Sequence, residues 1–395
     1  MNTNKKSILL VLFFLFLFFG NITIYAQFNS VKGISSTTAA AGHELKKSKD
    51  TIVDTNKGSF VPVPFFVTDV NLGYGLILAL SYLHPNKKET RKNTPPSITA
   101  VFGGGTSTST WTIGAGHTHS FNDDKLRFLG GALYANVNLD FYNLGKIDLS
   151  DHPIEVNMNG WGVLAHMLFR IGESNIFIGP EYGYAQIDSK LNLNDPDHPI
   201  LDSIFQEINN LTKKETTFSE IGLIANYDSR DNTISPSKGF YGGFELRYNG
   251  SWLGATDDFE EIDAFFYSYI PINKWLSSIY HFDFQSVGGD APFYVKPFVE
   301  LRGAPVMYYQ GNMAALVETQ WRAQFYKNWG ILGFVGTGKA FDSFNEFSDN
   351  PWVVNYGTGL RYVMQKAFNT RVGVDFAWAN PNSQFGWYIV VGTSF

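Results

Sequence analysis

The run Ala315-Leu316-Val317-Glu318-Thr319-Gln320-Trp321-Arg322-Ala323-Gln324-Phe325 decides the fold. Ala315, Val317, Thr319, Trp321, Ala323 and Phe325 alternate with Leu316, Glu318, Gln320, Arg322 and Gln324. Only an extended strand turns a period of two into two different faces. One face suits lipid and the other suits water. Just upstream stand Val299-Glu300-Leu301-Arg302-Gly303-Ala304-Pro305 and Gln310-Gly311-Asn312. An arginine beside glycine and proline, ahead of a strand with a glutamate on its wet face, predicts a loop folded inward and tied by an Arg302–Glu318 ion pair.

Working outward from this run, the same alternation recurs. Val70, Leu72, Tyr74, Leu76, Leu78, Leu80 and Tyr82 share one face of an upstream run. Strand-like runs follow at 97–105, 109–121, 125–139, 156–171, 174–189, 216–228, 239–249, 257–270 and 274–287. After the loop come 313–326, 329–338, 353–364, 370–378 and 385–395. These make fifteen, and a closed barrel with both ends on one side of a membrane needs an even number. Sixteen is therefore expected, with one strand unplaced. Either Phe60 to Thr68 supplies it, although Pro62 and Pro64 restrict that run to a sheet edge or a plug, or one long connector hides it.

Composition agrees. The 395 residues include 35 Phe, 20 Tyr, 9 Trp and 38 Gly, and no later stretch offers the roughly 18 consecutive apolar residues of a spanning helix. Girdles of aromatics and alternating strands fit a transmembrane barrel, whose lipid face a window average hides. The expected fold is all-β, a transmembrane antiparallel β-barrel of sixteen strands with an inward-folded loop. Lys5 and Lys6, the apolar run from Ile8 to Phe19 and a small residue at Ala26 read as a secretory signal peptide over residues 1–26. Residues 27–59 read as a disordered periplasmic lead-in, and 60–395 as the barrel. With no cysteine there is neither a disulfide framework nor a thiolate metal site. A net charge of −6 argues against nucleic-acid binding.

Tyr227-Asp228-Ser229-Arg230-Asp231-Asn232, followed by Ser235-Pro236-Ser237-Lys238-Gly239, is a turn by its chemistry. Together with the L-R-G loop and its Y-Q-G-N sequel, the V-E-T-Q-W-R strand, the G-F-V-G-T-G-K-A strand and the terminal Phe395, it resembles the BamA/TamA family of outer-membrane assembly barrels, the bacterial surface antigen type. The resemblance is most specific from Ala225 to Phe395. It implies sixteen strands, with the sixth extracellular loop folded into the lumen and its arginine, Arg302, contacting acids on the next two strands. Glu318 supplies the first. The second would fall at Gly336, and the aromatic that commonly follows R-G is replaced by Ala304. Family members typically carry periplasmic POTRA modules; the segment from Gln27 to Phe60 is too short for one, so the resemblance is to a minimal variant.

Other motifs carry less. Gly333 to Lys339 matches G-x-x-x-x-G-K, but Ala340 stands where a phosphate loop needs Ser or Thr. His117 and His119 share a strand face without a third ligand nearby in sequence. His281, Asp283 and Gln285 on one strand, and Glu220, Asn226, Asp228 and Arg230 on another, line a wall that any water-filled barrel would have, without a nucleophile motif. No cofactor and no metal are expected. Phe395 is expected to close the barrel against the first strand. The resemblance implies a non-enzymatic outer-membrane protein that inserts or translocates protein or lipid clients, with membrane lipid as its surroundings. A passive channel is the alternative, and a lumenal enzyme a lesser one.

Overall fold

The computed structural model describes residues 58–69, 71–85, 94–95, 97–144, 147–148, 154–192, 215–231, 236–365 and 370–391. The expected signal peptide, the lead-in before residue 58 and the terminal Phe395 lie outside the described residues.

Sixteen strands form one antiparallel sheet in chain order. They are β1 (Ser59–Asp69), β2 (Gly73–Leu83), β3 (Ile98–Thr106), β4 (Trp111–Phe121), β5 (Leu126–Phe141), β6 (Ile154–Arg170), β7 (Ile176–Asn192) and β8 (Glu215–Asp228). The second half comprises β9 (Gly239–Asn249), β10 (Phe259–Pro271), β11 (Leu276–Gly289), β12 (Met313–Tyr326), β13 (Trp329–Phe341), β14 (Val353–Gln365), β15 (Thr370–Asn380) and β16 (Gln384–Val391). A two-residue hairpin, Asn143–Leu144 against Ile147–Asp148, sits between β5 and β6. Among the described residues no helix is long and apolar enough to cross a membrane.

The unplaced strand is β1, which carries both prolines at an edge of the sheet. The upstream alternation was read as starting at Val70, but Asn71 and Leu72 form the turn from β1 into β2. Leu72 turns inward and is buried, while Tyr74, Leu76, Leu78 and Leu80 point out.

Outward residues make the apolar wall. Leu78, Ile113, Leu223, Phe244, Val317, Ile331 and Leu360 are all exposed in the isolated chain, as lipid-facing side chains must be. The β1–β2, β5–β6, β7–β8, β11–β12 and β13–β14 connections lie at one rim, and β1 starts and β16 ends at the other. The first rim has the longer connections, which is the extracellular pattern of such barrels. The connection 290–312 is the sixth at that rim.

The inner face is less wet than the alternation suggests. Leu129, Leu133, Val137 and Leu139 of β5, with Val156 and Met158 of β6, form an apolar inner wall. Against it pack Tyr294, Val295, Phe298 and Met307 of the sixth loop. Val299, Leu301 and Ala304 pack on Ala314 and Leu316 of β12, Ala340, Val353 and Ala379. Leu316, read as water-facing from its place beside Glu318, lies under the loop.

β1 and β16 stand side by side at the two ends of the sheet, and among the described residues no ladder joins them. Proline has no N–H, so the pairs Pro62↔Leu80 and Pro64↔Leu78 must be the non-hydrogen-bonded ones of the β1–β2 ladder. The ladder bonds then come from residues of the other parity, and the backbone groups of Pro62 and Pro64 face β16. That edge lacks two donors in a row of alternate positions, an arrangement that resists strand pairing.

Candidate functional site

The site is built where the sixth loop crosses the lumen. Gly303 has φ +94°, in the left-handed region that favours glycine, and an added Cβ would lie 3.1–3.2 Å from the backbone of Ala377, Trp378 and Ala379. This lets the loop press onto β15 and directs Arg302 at the wall. The Arg302 guanidinium donates to the Glu318 carboxylate of β12, to Gln320 Oε1 at 3.0 Å and to Asp375 Oδ2 of β15 at 3.1 Å. Its plane lies 3.5 Å from the Phe334 ring centroid.

The surrounding groups hold these acids in place. Asn355 Nδ2 on β14 donates to Glu318 Oε2 at 2.6 Å and to the Arg302 carbonyl at 3.1 Å. Arg361 grips Asp375 with two bonds, at 2.5 and 2.8 Å. Tyr388 of β16 accepts the Gly303 N–H at 2.8 Å. One Arg-Gly pair thus touches β12, β13, β15 and β16 directly and β14 through Asn355.

The sequence named Arg302, Gly303 and Glu318, and they meet. Gly336, where the resemblance places a second acid, has no room for one. A Cβ there would come within 2.6 Å of Asn355 Oδ1 and 2.9 Å of Glu318 Cγ. The second acid is Asp375, two strands further on. Asp375, Asn355 and Tyr388 were missed because strand alternation shows which face a residue takes but not which distant strand comes under the loop. The bracketing of Asp375 between Gly373 and Ala377 was the available signal, because small neighbours admit a close approach.

The loop is also tied by the turns on both sides of the β1–β16 boundary. Asn71, in the β1–β2 turn, donates to the Val306 carbonyl at 2.9 Å and to the Asp140 carbonyl at 2.9 Å, and accepts the Asp140 N–H at 2.8 Å. From the β15–β16 turn, Asn382 Nδ2 donates to the Tyr308 hydroxyl at 2.5 Å. On the outer wall the Tyr74 and Trp387 rings stack 6.0 Å apart.

The D-x-R-D turn lies at the opposite rim. Asp228 accepts two bonds from Arg230, at 2.9 and 3.1 Å, and one from Arg127 at 3.3 Å. The Arg230 guanidinium rests 3.8 Å from the Tyr241 ring centroid. Asp231 accepts the N–H groups of Ser237 and Lys238 at 2.9 and 3.1 Å. Gly239 has φ +109°, and the buried Pro236 offers its carbonyl to Arg322 of β12 at 3.1 Å. The turn is therefore bonded to the same strand that carries Glu318.

The remaining motifs resolve otherwise. Gly333 to Ala340 lies wholly inside β13. His281 stacks flat on Tyr267 at 4.3 Å, with Nε2 3.9 Å from Asp283. His117 and His119 point outward from β4, away from the lumen, and among the described residues no group of three His, Cys, Asp or Glu is placed to hold a metal. Loop residue Glu300 faces Asp283 and Asp263; burial first, and then Asp283, push its carboxyl well above the usual range.

The Omp85 superfamily domain matches residues 97–296. The chain belongs to the Omp85 superfamily. Among solved structures, this Omp85 barrel is similar to BamA from Haemophilus ducreyi lacking POTRA domains 1–3, with a TM-score of 0.58 at 13% identity, covering 85% of this chain and 70% of that one. It is also similar to CdiB from Acinetobacter baumannii, at 0.52 and 10%, covering 86% of this chain and 60% of that one. CdiB from Escherichia coli gives 0.52 and 12%, with 85% of this chain and 62% of that one covered. At these identities the likeness concerns the fold. The chain spans less than two thirds of either CdiB. No curated protein matches. Omp85 membership makes this a barrel of the outer-membrane type, in a superfamily of transporters and assembly factors.

Proposed function

We propose that this Omp85 barrel inserts or translocates a protein or lipid client through the boundary between β1 and β16, with Arg302, Gly303 and Glu318 acting as the brace that holds the sixth loop inside. The observation that carries this reading is the β1–β16 boundary, which no ladder joins among the described residues and where Pro62 and Pro64 withhold two donors from the β1 edge. A strand edge that ends a sheet suits a client that adds as a strand, and the chemistry is non-covalent. The loop that fills the lumen with Tyr294, Phe298 and Met307 favours this reading over a passive channel.

The edge can be tested by restoring its donors. Pro62→Val with Pro64→Val should let β1 pair with β16, raise thermal stability and slow client handling in the native host. A barrel as loose as before at this boundary, judged by disulfide crosslinking of cysteines placed on β1 and β16, would remove the argument from proline. Depletion in the host separates the function classes. Loss of other outer-membrane proteins or lipids supports assembly or transport, and a defect confined to uptake of one solute supports a channel.

A further inference from the structure

Three of the chain's eight histidines gather on the outer wall of the barrel, where sequence spacing had shown only two. His117 and His119 face outward from β4, and His84 follows β2 at the rim where β1 starts. Thr99 of β3 stands directly across from His117 on one side and Tyr82 on the other. Its hydroxyl lies 2.8 Å from His84 Nε2 and 2.8 Å from His117 Nδ1. The rings form a continuous band: Tyr82 to His84 at 4.9 Å, His84 to His117 at 5.4 Å, His117 to His119 at 5.7 Å and His119 to Phe121 at 4.1 Å.

Such a band is the place of an aromatic girdle, at the level where bilayer hydrocarbon gives way to headgroups. Phenylalanine or tyrosine would serve there with one polar atom or none. This one carries six imidazole nitrogens, and a polar group against lipid without a partner costs several kcal/mol. The hydroxyl of Thr99 accepts from one ring and donates to the other. With His84 Nε2–H donating to Thr99 and the Thr99 hydroxyl donating to His117 Nδ1, His117 keeps an N–H at Nε2 for another acceptor, and His119 brings a second. Two N–H donors side by side match the two non-bridging oxygens of a phosphodiester. At the rim holding the strand termini, the phosphodiester at that depth belongs to the inner leaflet.

We propose that His84, Thr99, His117 and His119 form a headgroup site on the outer wall of β2–β4, which holds the phosphate of a glycerophospholipid of the inner leaflet. His117 and His119 supply the direct contacts, and Thr99 sets the tautomer of His117. The site lies on the strands next to β1, so a lipid held there sits beside the barrel's unpaired boundary.

The test is lipid retention by the full, folded barrel in detergent, read by native mass spectrometry with added phosphatidylglycerol. The wild-type protein should keep one lipid more than His117→Phe with His119→Phe, and bind it at least about tenfold more tightly, the discrimination expected for loss of hydrogen bonds to a charged group. The phenylalanines preserve the apolar band, and heat-modifiable gel mobility shows that the barrel is folded. Thr99→Val leaves all three rings in place and should weaken retention by a smaller factor. Equal retention by wild type and variants overturns the site. So does equal binding of diacylglycerol, which has no phosphate. Displacement of the lipid by millimolar inorganic phosphate would assign the patch to a soluble anion instead.

Discussion

Replacing Arg302 by alanine removes the cation shared by Glu318 and Asp375, which are 5% and 0% exposed. Breaking a buried ion pair by deleting one member costs about 3–5 kcal/mol, because the remaining charge has no match. Here the loss falls at the low end. Asp375 keeps Arg361 at 2.5 and 2.8 Å, and Glu318 keeps the Asn355 amide at 2.6 Å. About 3 kcal/mol, at 1.4 kcal/mol per factor of ten, raises the population with the loop out of the lumen about 100-fold. When reclosing is faster than cleavage, proteolysis reports that population. Chymotrypsin should therefore cut the folded Arg302→Ala barrel within 290–312 about 100-fold faster than wild type. Arg302→Lys should fall between the two, since an ammonium keeps the charge but not the planar fork or the stack on Phe334. A cleavage rate within about threefold of wild type, in a barrel with normal heat-modifiable mobility, would refute the brace.

Two further outcomes follow from the same loop. Gly303→Ala places a side chain at φ +94° against the backbone of β15, a strain of roughly 1–2 kcal/mol, and should speed loop cleavage about tenfold while leaving the Arg302 charge intact. Glu300 has a carboxyl pKa raised above its reference of 4.5 in the folded state, so its contribution to loop docking is fully present below that reference and is lost as pH rises through the raised value. Hydrogen exchange of the loop amides, corrected for intrinsic rate, should show weakening protection with rising pH in wild type and a flatter profile in Glu300→Gln. Identical profiles would mean that Glu300 does not titrate against Asp283 and Asp263.

Legibility in the sequence followed physical locality. Strand alternation is set residue by residue, so β2 to β16 could be read directly, whereas β1 stood only as a candidate, because its prolines imitate a non-strand. The Arg302–Glu318 pairing was legible since the loop runs straight into β12. Asp375 was not, because a loop crossing a lumen meets residues distant in sequence, and no period reports which ones. The same limit hid His84. Two histidines one pleat apart announce themselves, whereas the third comes from two strands away and joins them through Thr99, a residue that carries no signal alone. Alternation also overstated the water in the lumen: it distinguishes inside from outside, but an inner face under a docked loop needs the apolar residues of a core, as Leu316, Leu133 and Val137 show.

The ties of the sixth loop are unequal on the two sides of the β1–β16 boundary, and the inequality has a direction. Toward β12–β16 the loop is held by the Arg302 charges, by the Gly303 N–H on Tyr388 and by Asn382 on Tyr308. Toward β1 it is held at Val306 alone, whose carbonyl accepts from the Asn71 amide and whose N–H donates to the Asp69 carboxyl, together with the apolar contacts of Leu72. Charge-assisted bonds are roughly twice as strong as neutral ones, and the two ion pairs of Arg302 on the β16 side outweigh the two bonds at Val306, so the β16 side holds the loop more firmly. If the boundary opens, the weaker tie breaks first: the β1–β2 turn leaves the loop, and the loop stays with β16. The exposed edge is then that of β1, already short of two donors at Pro62 and Pro64, while the braced loop keeps β12 to β16 in register. In a barrel that opened this way, the charged network would fix one half and the prolines would lie on the other.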